Sequence, residues 1–266
     1  MSDSHAVLQS VEKALVILEA LTHVEEIGVT ELSREFGLNK ATIYRILTTL
    51  RKQGYVEQTA SEKYRLNFKL FEMGNRMVNQ IGIRKTVRPY LEQVAAATRE
   101  TVNLAVLEHY SVIYIDRIES REPLRIGLDI GARFPAHCTA LGLVILAYLN
   151  PLEVDALLVA AERDETITKY TENSLSTFTD IKNDLKVVRD QGYSIDNGYY
   201  LQGIRAIGAP IFNHTGRIRA SISIAAPAIR LTDSVLSEFI PLIKEAARNI
   251  SLKLGCPENL LPAAFE

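Results

Sequence analysis

Between Phe36 and Lys52 the chain contains no carboxylate, yet Lys40, Arg45, Arg51 and Lys52 all fall inside that window. The protein as a whole has a formal net charge of -2, so this local bias is not a consequence of overall basicity. It coincides with a pattern that narrows the fold sharply. In GVTELSREFG, Thr30 can serve as an N-cap, a short helix runs to Phe36, and Gly37 suits a left-handed turn. Asn39 can cap a second helix, extending to about Gln53, with Ile43, Ile46, Leu47 and Leu50 on one apolar stripe. At 100° per residue, Ala41, Arg45, Thr48 and Lys52 point the other way, flanked by Thr42, Tyr44 and Thr49. A face of small, hydroxylated and cationic side chains approaches phosphates and base edges without repulsion.

Two short helices around a tight turn make a helix-turn-helix pattern. An amphipathic helix precedes them, SVEKALVILEALTH, with Ser10 as its cap and Leu15, Leu18 and Leu21 at helical spacing. GYVEQTASEKYRL follows and reads as a hairpin, Gly54 to Glu57 and Lys63 to Leu66, which is a wing presenting Lys63, Tyr64 and Arg65. Cationic residues on a helix surface ordinarily do no more than solvate it. The ordered sequence of three helices, a glycine turn and a hairpin favours double-stranded DNA as the partner. Ala41, Thr42, Tyr44 and Arg45 then lie nearest the bases, while Lys40, Arg51, Lys52, Lys63 and Arg65 neutralise phosphates.

The chain as a whole is too long for one small core: 266 residues with 47% hydrophobic content suit two domains. No apolar run approaches the roughly 20 residues that span a bilayer, and no signal-peptide h-region is evident. Cys138 and Cys256 belong to no C-x-x-C pair, which fits a reducing cytoplasm. Residues 1–67 are therefore read as a winged helix-turn-helix domain and residues 68–84 as a helical linker. Residues 85–266 are read as an α+β domain with an antiparallel sheet. In the linker region Phe68, Phe71 and Met77 are expected to pack between helices, with a break near Gly82. TVNLAVLE and SVIYIDRIE predict a hairpin, and RIGLDIG a further strand. Helices are expected at about 138–149, 151–160 and 180–191. Strands return in GYSIDNG, IRAIGAPIFNHTG and RIRASISIAAP, followed by a terminal helix kinked or offset at Pro241.

GARFPAHCTALGLVILAY feeds a strongly apolar helix whose first N–H groups, on Ala140, Leu141 and Gly142, would face an anionic ligand. The adjacent His137 and Cys138 raise the competing reading of an enzyme or metal-binding sensor, with His109 and His214 as further zinc candidates. Neighbouring side chains point apart, however, and no nucleophile elbow, Walker loop or dinucleotide fingerprint is present. Neither a cofactor nor catalysis is expected.

SVEKALVILEAL, TELSREFGLNKATIYRILTTLRKQGYVE and EKYRLNFKLFEMG in the first part of the chain resemble the IclR family of bacterial transcriptional regulators. So do GARFPAHCTALGLVILAYL, DQGYSIDNGYYLQGIRAIGAPIFNHTG and PAIRLT further on, and SEKYRLNFKLFEMG is similar to regulators of keto-sugar acid catabolism. The resemblance implies a GAF-like second domain with a ligand cavity, and homodimers or homotetramers whose assembly couples effector to DNA. It places an effector, a small organic acid or an aromatic metabolite, at Ala140, Leu141, Asp196, Tyr199 and Ala206. Tyr199 stands where the family nearly always has Glu, so a less acidic, more aromatic pocket is expected there. Repression and activation remain equally open.

Overall fold

The structure is a computed structural model that describes residues 7–265, apart from the side chains of residues 75 and 77–81. The chain divides into two compact units, Met1–Gln80 and Ile81–Glu266.

The first unit contains α1 (Gln9–Ala20), α2 (Val29–Phe36), α3 (Lys40–Lys52), the hairpin β1 (Val56–Gln58) and β2 (Tyr64–Leu66), and most of α4 (Lys69–Ile81). Ile17 and Leu21, Leu32, Ile43 and Leu47, Val56 and Tyr64 close its core, so the first three helices and both strands of the hairpin contribute. α3 starts where the sequence places it. Asn39 Oδ1 accepts from Thr42 N at 2.8 Å, so one otherwise unpaired N–H at the helix start is satisfied. Gly37 ends α2 at φ 63°, the left-handed region in which a side chain is strained.

Two expected caps are corrected. α2 begins one residue before Thr30, and Gly28 is its cap position, with Glu31 Oε2 accepting from Gly28 N at 2.7 Å. Glycine has no side chain to complete the reciprocal box, so Thr30 is simply an exposed residue of the first turn. α1 begins at Gln9, ahead of Ser10, without a side-chain cap. Leu15 turns outward at 60% exposure while Ile17 and Leu21 serve the core. Phe68 and Phe71 on and beside α4 are likewise exposed rather than packed, at 79% and 70%, and Met77 is among the side chains outside the description.

The second unit is an α+β domain around a six-stranded antiparallel sheet of order β5-β4-β3-β8-β7-β6. Its strands are β3 (Thr101–Glu108), β4 (Ser111–Ile118), β5 (Arg133–Pro135), β6 (Ser194–Asp196), β7 (Ile204–Phe212) and β8 (Ile218–Pro227). Helices α5 (Ile83–Thr98) and α9 (Asp233–Lys253) cover the face carrying Val102, Leu104, Ile207, Ile222 and Ile224. The other face is covered by α6 (Ala140–Tyr148), with α7 (Pro151–Arg163) and α8 (Phe178–Gln191) behind it. That second face presents small and polar residues: Thr101, Asn103 and Ala105 on β3, Ser221, Ser223 and Ala225 on β8, and Ala206 and Gly208 on β7. Gly208 is required by the packing, because a Cβ there would sit 2.5 Å from Ala140 O and 2.7 Å from Ser194 Oγ. The helix break falls at Gly82, φ 71°, between α4 and α5 as expected. α9 continues as helix through Pro241. RIGLDIG forms no strand; β5 lies just beyond it and pairs with β4 only at Ser111–Ile113.

Candidate nucleic-acid interface and effector cavity

On α3, Lys40, Ala41, Tyr44, Arg45, Arg51 and Lys52 are exposed and Thr42 is half-buried, while Ile43 and Leu47 anchor the opposite side. The helix carries no acid in its first turn and Arg51 and Lys52 in its last. Arg51 Nη1 donates to Gln58 Oε1 at 2.6 Å, tying the end of α3 to the hairpin. Arg45 and Lys52 make no ion pair among the described residues, so their charge is free for a polyanion. Two expected contact residues turn away. Tyr64 is 1% exposed and belongs to the core, and burial raises its phenol pKa. Strand alternation explains the error, since Lys63 and Arg65 flank it and necessarily face outward. Thr48 is half-buried with its hydroxyl enclosed and unpartnered. Lys63 and Arg65 are each engaged already, with Glu26 at 3.5 Å and Glu57 at 2.6 Å. Such exposed pairs hold little energy and exchange readily for phosphate.

In the second unit a cavity of about 160 Å3 opens between the small-residue face of the sheet and the start of α6. Ala140, Leu141, Asp196 and Ala206, four of the five expected effector residues, line it together. Thr139 caps α6, accepting from Gly142 N at 3.0 Å, which removes Gly142 from the donors expected to face a ligand. The N–H groups of Ala140 and Leu141 remain the uncapped donors at that helix end. Asp196 Oδ1 accepts from Gly198 N at 2.9 Å and Tyr199 N at 2.8 Å. Burial outweighs these two bonds and pushes its carboxyl pKa up to about 7.

The fifth residue is misplaced. The Tyr199 ring packs into the core behind α6 and is no part of the cavity wall; its neighbour Tyr200 is. The expected change in pocket character at this position therefore does not occur through the Tyr199 ring. Asn103, Tyr114, Phe134, Ile126 and Ser223 also line the cavity and escaped the sequence reading. The period-2 alternation of ASISIAA on β8 was the available signal, since it separates Ser221, Ser223 and Ala225 from the isoleucines.

His137 and Cys138 do not form a reactive pair. His137 is fully buried, stacks on Tyr110 with centroids 5.5 Å apart, and is held neutral by burial, its pKa lowered to about 4. Cys138 is buried beside the cavity, and the loss of water raises its thiol pKa far above neutrality, opposite to what a nucleophile needs. Among the described residues no three His, Cys, Asp or Glu side chains converge as a metal site.

Comparison with known proteins bears on this two-part arrangement. The IclR helix-turn-helix domain matches residues 10–60, and the domain described as bacterial transcriptional regulator IclR C-terminal matches residues 75–252. The chain belongs to the IclR family. Among curated IclR-family proteins, the HTH-type transcriptional regulator KdgR of Dickeya chrysanthemi is 37% identical over 93% of this chain and 80% of its own length. XynR of Escherichia coli is 33% identical over 94% of this chain and 99% of its own. The crystal structure of the Thermotoga maritima IclR superimposes with a TM-score of 0.81 at 28% identity, covering 93% of this chain and 99% of that one. The C-terminal domain of E. coli KdgR gives 0.59 at 31% identity over 65% and 98%. No helix among the described residues of this IclR-family chain is long and apolar enough to cross a membrane.

Proposed function

We propose that this IclR-family protein is a ligand-responsive regulator of a catabolic operon that reads operator DNA with α3 and binds a small organic acid in the cavity beside α6. The observation that carries this reading is the exposed, carboxylate-free side of α3, with Ala41, Tyr44 and Arg45 at its leading end. Helix-turn-helix proteins place the start of that helix in the major groove. Exposed Val11, Leu15 and Val16 on α1 support assembly into dimers or tetramers, because a single module of this size covers too little DNA for specific recognition. Effector binding then shifts the population among assemblies with different spacing of the paired α3 helices. The neutral His137 and protonated Cys138 support a binding protein over an enzyme.

Fluorescence anisotropy on DNA from upstream of the gene, across a salt series, tests the reading. Arg45→Ala should weaken operator binding by about 1–3 kcal/mol and relax sequence preference. Lys52→Ala should weaken all sequences alike and flatten the salt slope by about one. Unchanged operator affinity in Arg45→Ala would show that α3 does not enter the groove.

A further inference from the structure

Five residues lie in one row across the cavity-side face of the sheet, each the register partner of the next: Arg117, Asn103, Ser223, Gly208 and Ser194. Gly208 admits α6, and Ser194 Oγ donates to Ala140 O at 2.6 Å. The other end of the row is unfinished. Arg117 has a side chain only 6% exposed, and its Nε and Nη1 have no hydrogen-bond partner among the described residues. Its Nη2 donates to Ile126 O at 2.8 Å and lies 3.6 Å from Glu119, a carboxylate that is itself 54% exposed. Beside it Asn103 Nδ2 reaches Ser223 Oγ at 3.3 Å, while Asn103 Oδ1 is buried and unpaired. Turning that amide over pairs Oδ1 with the serine hydroxyl and frees the NH2 group as a donor. Asn103, Ser223 and Ile126 are cavity walls, whereas Arg117 lies outside the lining and is joined to it through its bond to Ile126 O and its pairing with Asn103.

A guanidinium held nine-tenths out of water with two idle donors is costly unless an acceptor reaches it. Asp196 stands on β6, with β7, β8 and β3 between it and the strand of Arg117. Asp196 is thus in one wall of the cavity and the Arg117 cation adjoins the Asn103 and Ile126 wall from outside, and Tyr114 lies within electrostatic reach of both.

We propose that Arg117 and Asn103 are the carboxylate-recognition subsite of the effector cavity. The ligand is then an organic acid with a second polar group, a hydroxyl or oxo oxygen, directed to Asp196 and the start of α6. This rests on the effector reading above and deepens it. Volume restricts the class further, because about 160 Å3 is below the ~300–1,000 Å3 typical of drug-sized sites. To reach Arg117 the carboxylate must displace Ile126 O from Nη2 or enter beside it, so the segment around Ile126 moves with occupancy.

The test uses the full-length chain, titrated calorimetrically with hydroxy- and oxo-carboxylic acids of four to seven carbons, each beside its primary amide. The best acid should bind at least about tenfold tighter than its amide, as a charge-assisted hydrogen bond requires. Arg117→Gln should bring the two within about twofold, with operator affinity in the absence of acid unchanged. If the acid preference survives Arg117→Gln but Ala206→Trp abolishes binding, the subsite is refuted while the effector cavity stands. If no acid binds the wild-type protein, both fall. Should Arg117→Gln fail to fold, Asn103→Ala decides: an undiminished acid preference there overturns the proposal.

Discussion

Asp196→Asn is the perturbation with the clearest signature, because it removes a titrating proton while keeping the local geometry. Asn retains an Oδ1 acceptor for the N–H groups of Gly198 and Tyr199, so the β6 turn is preserved. The wild-type carboxyl is raised from an ordinary 3.8 to about 7 by burial, and no cation offsets that burial. In the unfolded chain the group ionises near its ordinary value; in the folded chain it holds its proton until about pH 7. Stability from this group is therefore fully present below pH 4 and declines as pH rises to about 7, where the decline levels off. A shift of about three units at 1.36 kcal/mol each is about 4 kcal/mol, and water admitted to the cavity reduces it. Relative to wild type, Asp196→Asn should gain stability steadily between pH 5 and 7.5. Urea denaturation followed by far-ultraviolet circular dichroism suits a chain without tryptophan. Wild-type and variant midpoints that move in parallel across this pH range would refute the buried, neutral carboxyl.

Two further perturbations probe the scaffold. Asn39→Ala should destabilise the first unit by about 0.5–2 kcal/mol through loss of the α3 cap, read as a lower thermal midpoint and weaker operator binding. Gly208→Ala should destabilise the second unit by about 1–3 kcal/mol, read as a lower denaturation midpoint. Its Cβ must push α6 from the sheet, and acid binding should weaken with it.

Several local signals were legible in the sequence, although the caps expected at Ser10 and Thr30 were not borne out. The helix over Lys40–Lys52, its Asn39 cap and the left-handed Gly37 all follow from side chains within a few residues of one another. The long alternating runs of β3, β4, β7 and β8 were equally plain. The sequence reading failed where one residue of register changes the outcome. Tyr64 was grouped with Lys63 and Arg65 because all three suit a phosphate, yet strand alternation sends the middle one inward. Tyr199 was assigned to the ligand through a family position, whereas its ring turns into the core and Tyr200 takes the wall. RIGLDIG has strand composition but forms no ladder: Gly131 N donates to Tyr114 O of β4 at 2.7 Å, while the register pairing on that side covers Ser111–Ile113.

Element identities and the charge bias of α3 were encoded in short-range periodicity, where each residue needs only its neighbours. The cavity beside α6 was not, because its floor draws on β3, β8, β7 and β6, whose adjacency is set by sheet order rather than by chain order. Arg117 illustrates the difference. In the sequence it is one cation in a strand, and only the folded sheet shows it buried beside Asn103 with two donors unmet. Hydrogen-bond pairing and desolvation are properties of groups far apart along the chain, so they become readable only when packing has brought those groups together.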